Sequence, residues 1–244
     1  MRPTPRLPGR PKTTRGVLLA LGGSLLLVAV AAFALVYFVL FPTSSPKPLA
    51  LAPSSTAVPI AAGAQFSGPW KIAAGSVAGY RVREQLGFLP ALSDAVGRTS
   101  AISGEATFTE AKRVITVTAA SFTVDVSKLT SDRSMRDQHI RTIGLQSDRY
   151  PTATFRLSDR LTLPASALSG KVVHVSVAGE VNIHGTTRRE TIPLAMRLSS
   201  AGVEAVGSLT FPWSEFNMTA PTVAGFVTVT NKATMEFDLH LRRA

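Results

Sequence analysis

The chain predicts an all-β antiparallel domain with one short helix, set behind an N-terminal transmembrane helix and a proline-rich linker. Three observations carry that prediction. Val17 to Phe41 is one apolar run without a charged side chain, a tract rich in proline, serine and alanine follows it, and a hydrophobic period of two holds from residue 68 nearly to the end.

The apolar run comes first. A helix of that length is roughly 37 Å long at about 1.5 Å per residue, enough to cross a bilayer core of about 30 Å with some tilt. Residues 1–16 form a basic tail, with Arg2, Arg6, Arg10, Lys12 and Arg15 and no acidic residue. Basic flanks stay on the cytoplasmic side, so the remainder is expected outside the cell membrane on a single-pass anchor. A cleaved signal peptide shares the basic-then-apolar pattern, but its apolar core usually spans about 7–15 residues. The length therefore favours an anchor over residues 17–41.

Residues 42–67 read as a linker. Pro42, Pro46, Pro48, Pro53 and Pro59 alternate with small residues, and Lys47 is the one charge. Such a composition favours extended polyproline conformations, which at about 3.1 Å per residue reach as far as roughly 80 Å.

From residue 68 to 243 the pattern is that of strands. Ile102, Ala106 and Phe108 share one face. Ile115, Val117 and Ala119 give way to Phe122, Val124 and Val126, a change of phase that predicts a bulge or bend near Ala120. Ser131 to Gln146 interrupts the alternation with charged residues and a poor apolar stripe, so a short helix is expected there, capped by Thr130 or Ser131. Alternation then resumes in Ala153 to Leu157, Val173 to His184, Ile192 to Leu198 and Val203 to Phe211. It ends in Val227 to Leu241, where Asn231 is a lone polar residue on the apolar side. Strict alternation marks antiparallel strands with one solvated face. About eight strands present an apolar face that one short helix is too small to cover, so the sheet must close on itself as a sandwich or a barrel. Periodicity does not separate the two.

Composition removes several functions. There is no cysteine, which excludes disulfides, thiolate metal sites and a cysteine nucleophile. The formal charge is +11, but five of the 26 basic residues stand before Val17, leaving 21 against 15 acidic ones. That modest surplus on an outward-facing domain points to anionic lipid headgroups rather than nucleic acid.

Ser134-Met135-Arg136-Asp137-Gln138-His139-Ile140-Arg141, Tyr150-Pro151-Thr152-Ala153-Thr154-Phe155 and Gly179 to Thr187 with the strand after it resemble, in order and spacing, the signature of the YceI-like family. The resemblance covers roughly residues 68–243. It implies a lipocalin-like antiparallel barrel whose apolar lumen holds a polyisoprenoid or another long lipid, with no chemistry performed. Two stretches depart from the pattern: Ile143-Gly144-Leu145-Gln146 replaces a Phe-rich tract, and Leu86 to Leu92 forms a long apolar loop. Both bear on the mouth of the lumen. The anchored form resembles actinobacterial variants.

The candidate lining residues are Tyr80, Phe108, Phe122, Phe155, Val177, Leu194, Met196, Leu209 and Phe237, all at inward positions of their strands. An ordinary packed core is the competing reading, and with it an envelope adhesion or scaffold module that takes no ligand. No cofactor or metal is expected: His139, His174, His184 and His240 lack zinc-ligand spacing. Ser134, Asp137 and His139 suggest a triad, yet no Gly-x-Ser-x-Gly elbow exists and three neighbours on one helix converge poorly on a substrate. Arg136, Asp137 and His139 are better read as ties between helix and barrel. The pairs Arg188-Arg189 and Arg242-Arg243, and the Asn217-Met218-Thr219 sequon, read as surface features.

Overall fold

Alternation becomes twelve strands. They are β1 (Gly68–Ile72), β2 (Val77–Leu86), β3 (Leu92–Thr99), β4 (Ile102–Ala111), β5 (Val114–Asp125), β6 (Thr152–Leu157), β7 (Leu161–Thr162), β8 (Val173–Ile183), β9 (Thr186–Ser199), β10 (Gly202–Pro212), β11 (Thr222–Val223) and β12 (Val227–Arg243). Among the described residues of the domain, one helix, α1 (Ser134–Thr142), and three short 3-10 turns join them. The computed structural model describes residues 27–32, 45–53, 59–61, 66–86, 92–223 and 227–244.

The strands run in the order β1-β4-β5-β6-β8-β9-β10-β12, and β12 returns to β1 through Trp70–Arg243, Lys71–Arg242 and Ile72–Leu241. That pairing closes an eight-stranded antiparallel barrel and excludes the sandwich. β2 pairs with the remaining length of β12, and β3 pairs with β2. Thus β1–β2 and β3–β4 act as two long strands, each interrupted by a short turn. Where β3 parts from the wall, the segment between β5 and β6 fills the gap. Thr130 bridges Arg98, and the 3-10 turn Val126–Lys128 and α1 follow.

The irregularities have local causes. On β5, Thr107 faces Ala119 while Phe108 faces Val117, so Thr118 is an extra residue, and its hydroxyl donates to the Thr107 carbonyl at 3.2 Å. This is the bulge expected near Ala120, and it turns Ala120, Phe122 and Val124 inward. Asn231 lies in a second irregularity, where the register with β2 shifts between Val229 and Ala233, and it is exposed. The β4–β5 and β8–β9 hairpins turn on Lys112-Arg113 and His184-Gly185, with φ of 51°, 61°, 53° and 71°, the positive values that two-residue hairpin turns require.

Two expectations need correction. The helix is shorter than Ser131 to Gln146, and its N-cap is Arg133, which makes no side-chain capping bond. Thr130 is spent on the bridge to Arg98, while the Ser131 backbone donates to Asp137 at 2.8 Å. The linker also begins the domain earlier than residue 68. Ser45 donates to the Asp94 carbonyl at 2.6 Å, Arg81 and Arg98 donate to the carbonyls of Pro46 and Lys47 at 2.7 and 2.6 Å, and Arg197 reaches the Ala52 carbonyl at 2.9 Å. Extended proline-rich chain leaves its carbonyls unpaired, and the outward arginines of the wall take them up. Ile60 and Phe66 are buried in the barrel core.

Of the apolar run Val17 to Phe41, residues 27–32 are described, as helix; the expected membrane span otherwise lies outside the described residues. Among the described residues no helix is long and apolar enough to cross a membrane.

The core is split lengthwise. At one end Phe66, Trp70 and Phe108 stack and edge one another at centroid distances of 4.6, 5.4 and 6.0 Å. Toward the other end Phe211, Trp213, Phe216 and Met218 pack with Val82, Ile183 and Ile192. Leu157, Leu161 and Leu194 touch both groups.

Candidate binding lumen

Inward positions of β2, β4, β5, β6, β8, β9, β10 and β12 converge on a space between the two packed ends. It is a cavity of about 170 Å³, walled almost wholly by aliphatic and aromatic side chains. Among its lining residues, Tyr80, Thr154 and Thr234 are the ones with hydroxyls. Tyr80, Phe122, Phe155, Leu194 and Phe237 are inward-facing yet only half-buried, which is what a lumen produces and a filled core does not. A larger cleft of about 680 Å³ lies outside the wall beside Pro48 and Leu49, but it is open to solvent and mixed in polarity.

Eight of the nine residues expected from alternation line the lumen: Tyr80, Phe108, Phe122, Phe155, Val177, Leu194, Met196 and Phe237. Leu209 does not. It is buried in the core beside Phe211 and away from the cavity. Alternation missed Ile140 and Leu145 from the insertion between β5 and β6, Trp213 from the 3-10 turn after β10 and Met218 just beyond that turn. These come from segments without a period of two, so no strand signal marks them. The Trp213 indole donates to the Thr230 carbonyl at 2.9 Å, leaving its apolar face to the lumen.

Glycines keep the bore open. A Cβ at Gly207 would stand 2.6 Å from Leu194 Cδ2 and 2.7 Å from Phe237 Cζ. A Cβ at Gly97 would overlap the Tyr80 ring, and one at Gly179 the Phe155 ring. Large side chains therefore lie back against bare backbone instead of projecting across the barrel.

Polar groups stand beyond the apolar lining where α1 covers the barrel. Ala78, Tyr80, Val82 and Glu84 alternate along the inner face of β2, so Glu84 is a carboxylate at an inward position, and it is buried. Arg136 of α1 reaches it with Nη2 at 2.6 Å from Oε1, and its Nη1 pairs with Asp132. Arg136 thus makes the tie between helix and barrel expected from the sequence, whereas Asp137 turns toward Ser131. The Tyr80 hydroxyl is buried and has no hydrogen-bond partner among the described residues. Burial pushes its pKa above the ordinary tyrosine range, against the pull of the Arg136 charge, so it stays a proton donor.

The remaining candidates have local employment. Arg188 donates to the Glu215 carbonyl at 2.9 Å, Arg189 pairs with Asp159 at 2.6 Å, and Arg242 and Arg243 donate to the Ala201 and Ser67 carbonyls. Asn217 ends the 3-10 turn with φ of 53° and donates to Thr186 at 3.0 Å. His184 packs on Tyr150 at 4.2 Å. Among the described residues no three His, Asp or Glu side chains gather as a metal site.

The structure is a closed eight-stranded antiparallel barrel around an apolar lumen, with a short helix over one end. Within it, residues 70–241 match the YceI-like domain, and the chain belongs to that family. A UPF0312 protein of Vibrio parahaemolyticus is 29% identical over 144 residues, which are 59% of this chain and 64% of that protein's length. The fold matches the structure of a polyisoprenoid binding domain from Saccharophagus degradans implicated in plant cell wall breakdown, with a TM-score of 0.53 and 14% identity over 73% of this chain and 99% of the other. The crystal structure of Burkholderia cenocepacia BcnA is more distant, with a TM-score of 0.47, 18% identity, and coverage of 67% and 95%.

Proposed function

We propose that this protein is a membrane-tethered, extracytoplasmic binding protein that holds a long-chain apolar lipid, a polyisoprenoid or an isoprenoid quinone, in its lumen and performs no chemistry. The observation that carries this reading is the lumen itself: an apolar space inside the barrel whose inward side chains are left incompletely packed. Membership in the YceI-like family and the fold shared with a polyisoprenoid binding domain support it. Burial of methylene groups at about 0.8 kcal/mol each supplies the affinity, so ten of them contribute roughly 8 kcal/mol before ordering costs. At about 170 Å³ the cavity resembles in size an apolar one of ~150 Å³ that admits benzene. A long chain therefore enters with movement of the flexible Met196, Met235 and Leu194 side chains that line it. The basic tail ahead of the charge-free run supports an orientation with the barrel on the outer side of the membrane.

Residues 45–244, expressed in a bacterium and extracted with organic solvent, should yield a stoichiometric long-chain lipid by mass spectrometry. Repeated recovery of lipid-free protein that also takes up no added isoprenoid would overturn the reading.

A further inference from the structure

The lumen is lined by apolar side chains, and the polar groups near it, the Tyr80 hydroxyl and the ion pair behind it, stand on one side only, under α1, so a ligand in it has a direction. Three features meet where α1 covers the barrel. The Tyr80 hydroxyl is buried without a partner among the described residues. Its ring lies over Gly97, with the hydroxyl 3.0 Å from where a Cβ would stand, so the missing side chain on β3 is what lets the phenol lie there. The Glu84–Arg136 ion pair sits on the same inner face, one turn of alternation beyond Val82. A buried hydroxyl left unpaired loses its hydrogen bonds to water with nothing in return, and such a cost persists where a ligand relieves it.

The charges around Tyr80 say which ligand. Arg136 is already engaged by Glu84 and Asp132, and Asp137 adds a third carboxylate to the field at Tyr80. An anionic head would enter a place with more negative than available positive charge, at a cost that burial magnifies. A neutral oxygen accepts from the phenol without that cost. Resting on the lipid-binding reading above, we propose that Tyr80 anchors the head of the bound chain, and that the head is a neutral hydrogen-bond acceptor such as a carbonyl oxygen, not a phosphate. Because the hydroxyl is covered, the head reaches it as α1 shifts. That helix is seated by Ile140, its one buried side chain, and by the Arg136 ion pair.

The test uses the full chain in lipid nanodiscs and three probes: geranylgeranyl acetate, geranylgeranyl monophosphate and the headless hydrocarbon squalene. Native mass spectrometry or a displacement titration ranks their affinities for the wild type and for Tyr80→Phe, which keeps the ring over Gly97. The acetate should bind the wild type best, and Tyr80→Phe should weaken the acetate alone, by about five- to tenfold. If the variant fails to fold, the wild-type ranking still decides. Binding of none of the probes overturns the lipid-binding reading and this inference with it. Binding of all three with equal loss, or no loss, in Tyr80→Phe, or a preference for the phosphate, overturns the head-group site and leaves the lumen reading standing.

Discussion

At Asp238 burial and charge pull in opposite directions. The side chain faces outward from β12, half-buried, and its Oδ1 lies 3.3 Å from His240 Nε2. Burial raises its carboxyl pKa above the ordinary value of 3.8; the His240 charge opposes that rise, and nearby Glu204 adds to it. A raised pKa in the folded chain means that the native state holds this proton more tightly than the unfolded one. The destabilising effect is therefore absent below the unfolded pKa and complete once pH passes the folded one, so this group's contribution to stability falls as pH rises through that window. Asp238→Asn should raise the melting temperature at pH 7, and the gain should vanish in acid near pH 3. Equal shifts at both pH values would mean that the carboxyl is not the cause. None of this was legible in the sequence, where Asp238 is one polar residue among seven alternating ones. Its burial depends on neighbours on β10, which lie far away along the chain.

Among the elements, α1 is the least secured. Met135 is 67% exposed and Ile143, just past its end, 47%, so Ile140 alone fastens it by apolar contact. The ion pair between Arg136 and Glu84 supplies the rest, with side chains only 13% and 9% exposed. Removing one member of a buried pair costs about 3–5 kcal/mol because the other charge stays behind. Arg136→Ala should accelerate amide exchange across Ser134–Thr142 ahead of the strands, and adding Glu84→Gln should recover most of the loss. Unchanged exchange in the single variant would show that other contacts hold the helix. The helix was visible as a charged break in the alternation, but its partner was not: Glu84 reads as surface until the parity of β2 turns it inward. Capping chemistry misled in the same region, because Thr130 answers to a long-range bridge rather than to the helix beside it. The bulge on β5 was legible, since one extra residue flips every later side chain to the other face.

For the whole molecule, alternation gave the strands and eight of the nine lumen positions, yet it left barrel and sandwich equal. Closure hangs on three pairings between β1 and β12 at opposite ends of the domain, and no local pattern reports such a contact. Substituting Leu194 and Met196 together by Trp fills the bore. The barrel should still fold, with the lumen absorbing bulk that a packed core would answer with about 1–3 kcal/mol of strain, and bound lipid should be lost. Retained lipid, or collapse of the fold, would argue for a core without a working lumen. The bare backbone beneath Phe155, Leu194 and Phe237 gives the lumen an evolutionary asymmetry. Any replacement of Gly179 or Gly207 adds atoms, so mutation at those positions moves the calibre in one direction only. Narrowing is itself resisted, because the added Cβ would stand 2.7 Å from the Arg156 carbonyl oxygen at Gly179 and 2.9 Å from that of Pro193 at Gly207, so any change of calibre falls to the side chains or to the helix over the mouth.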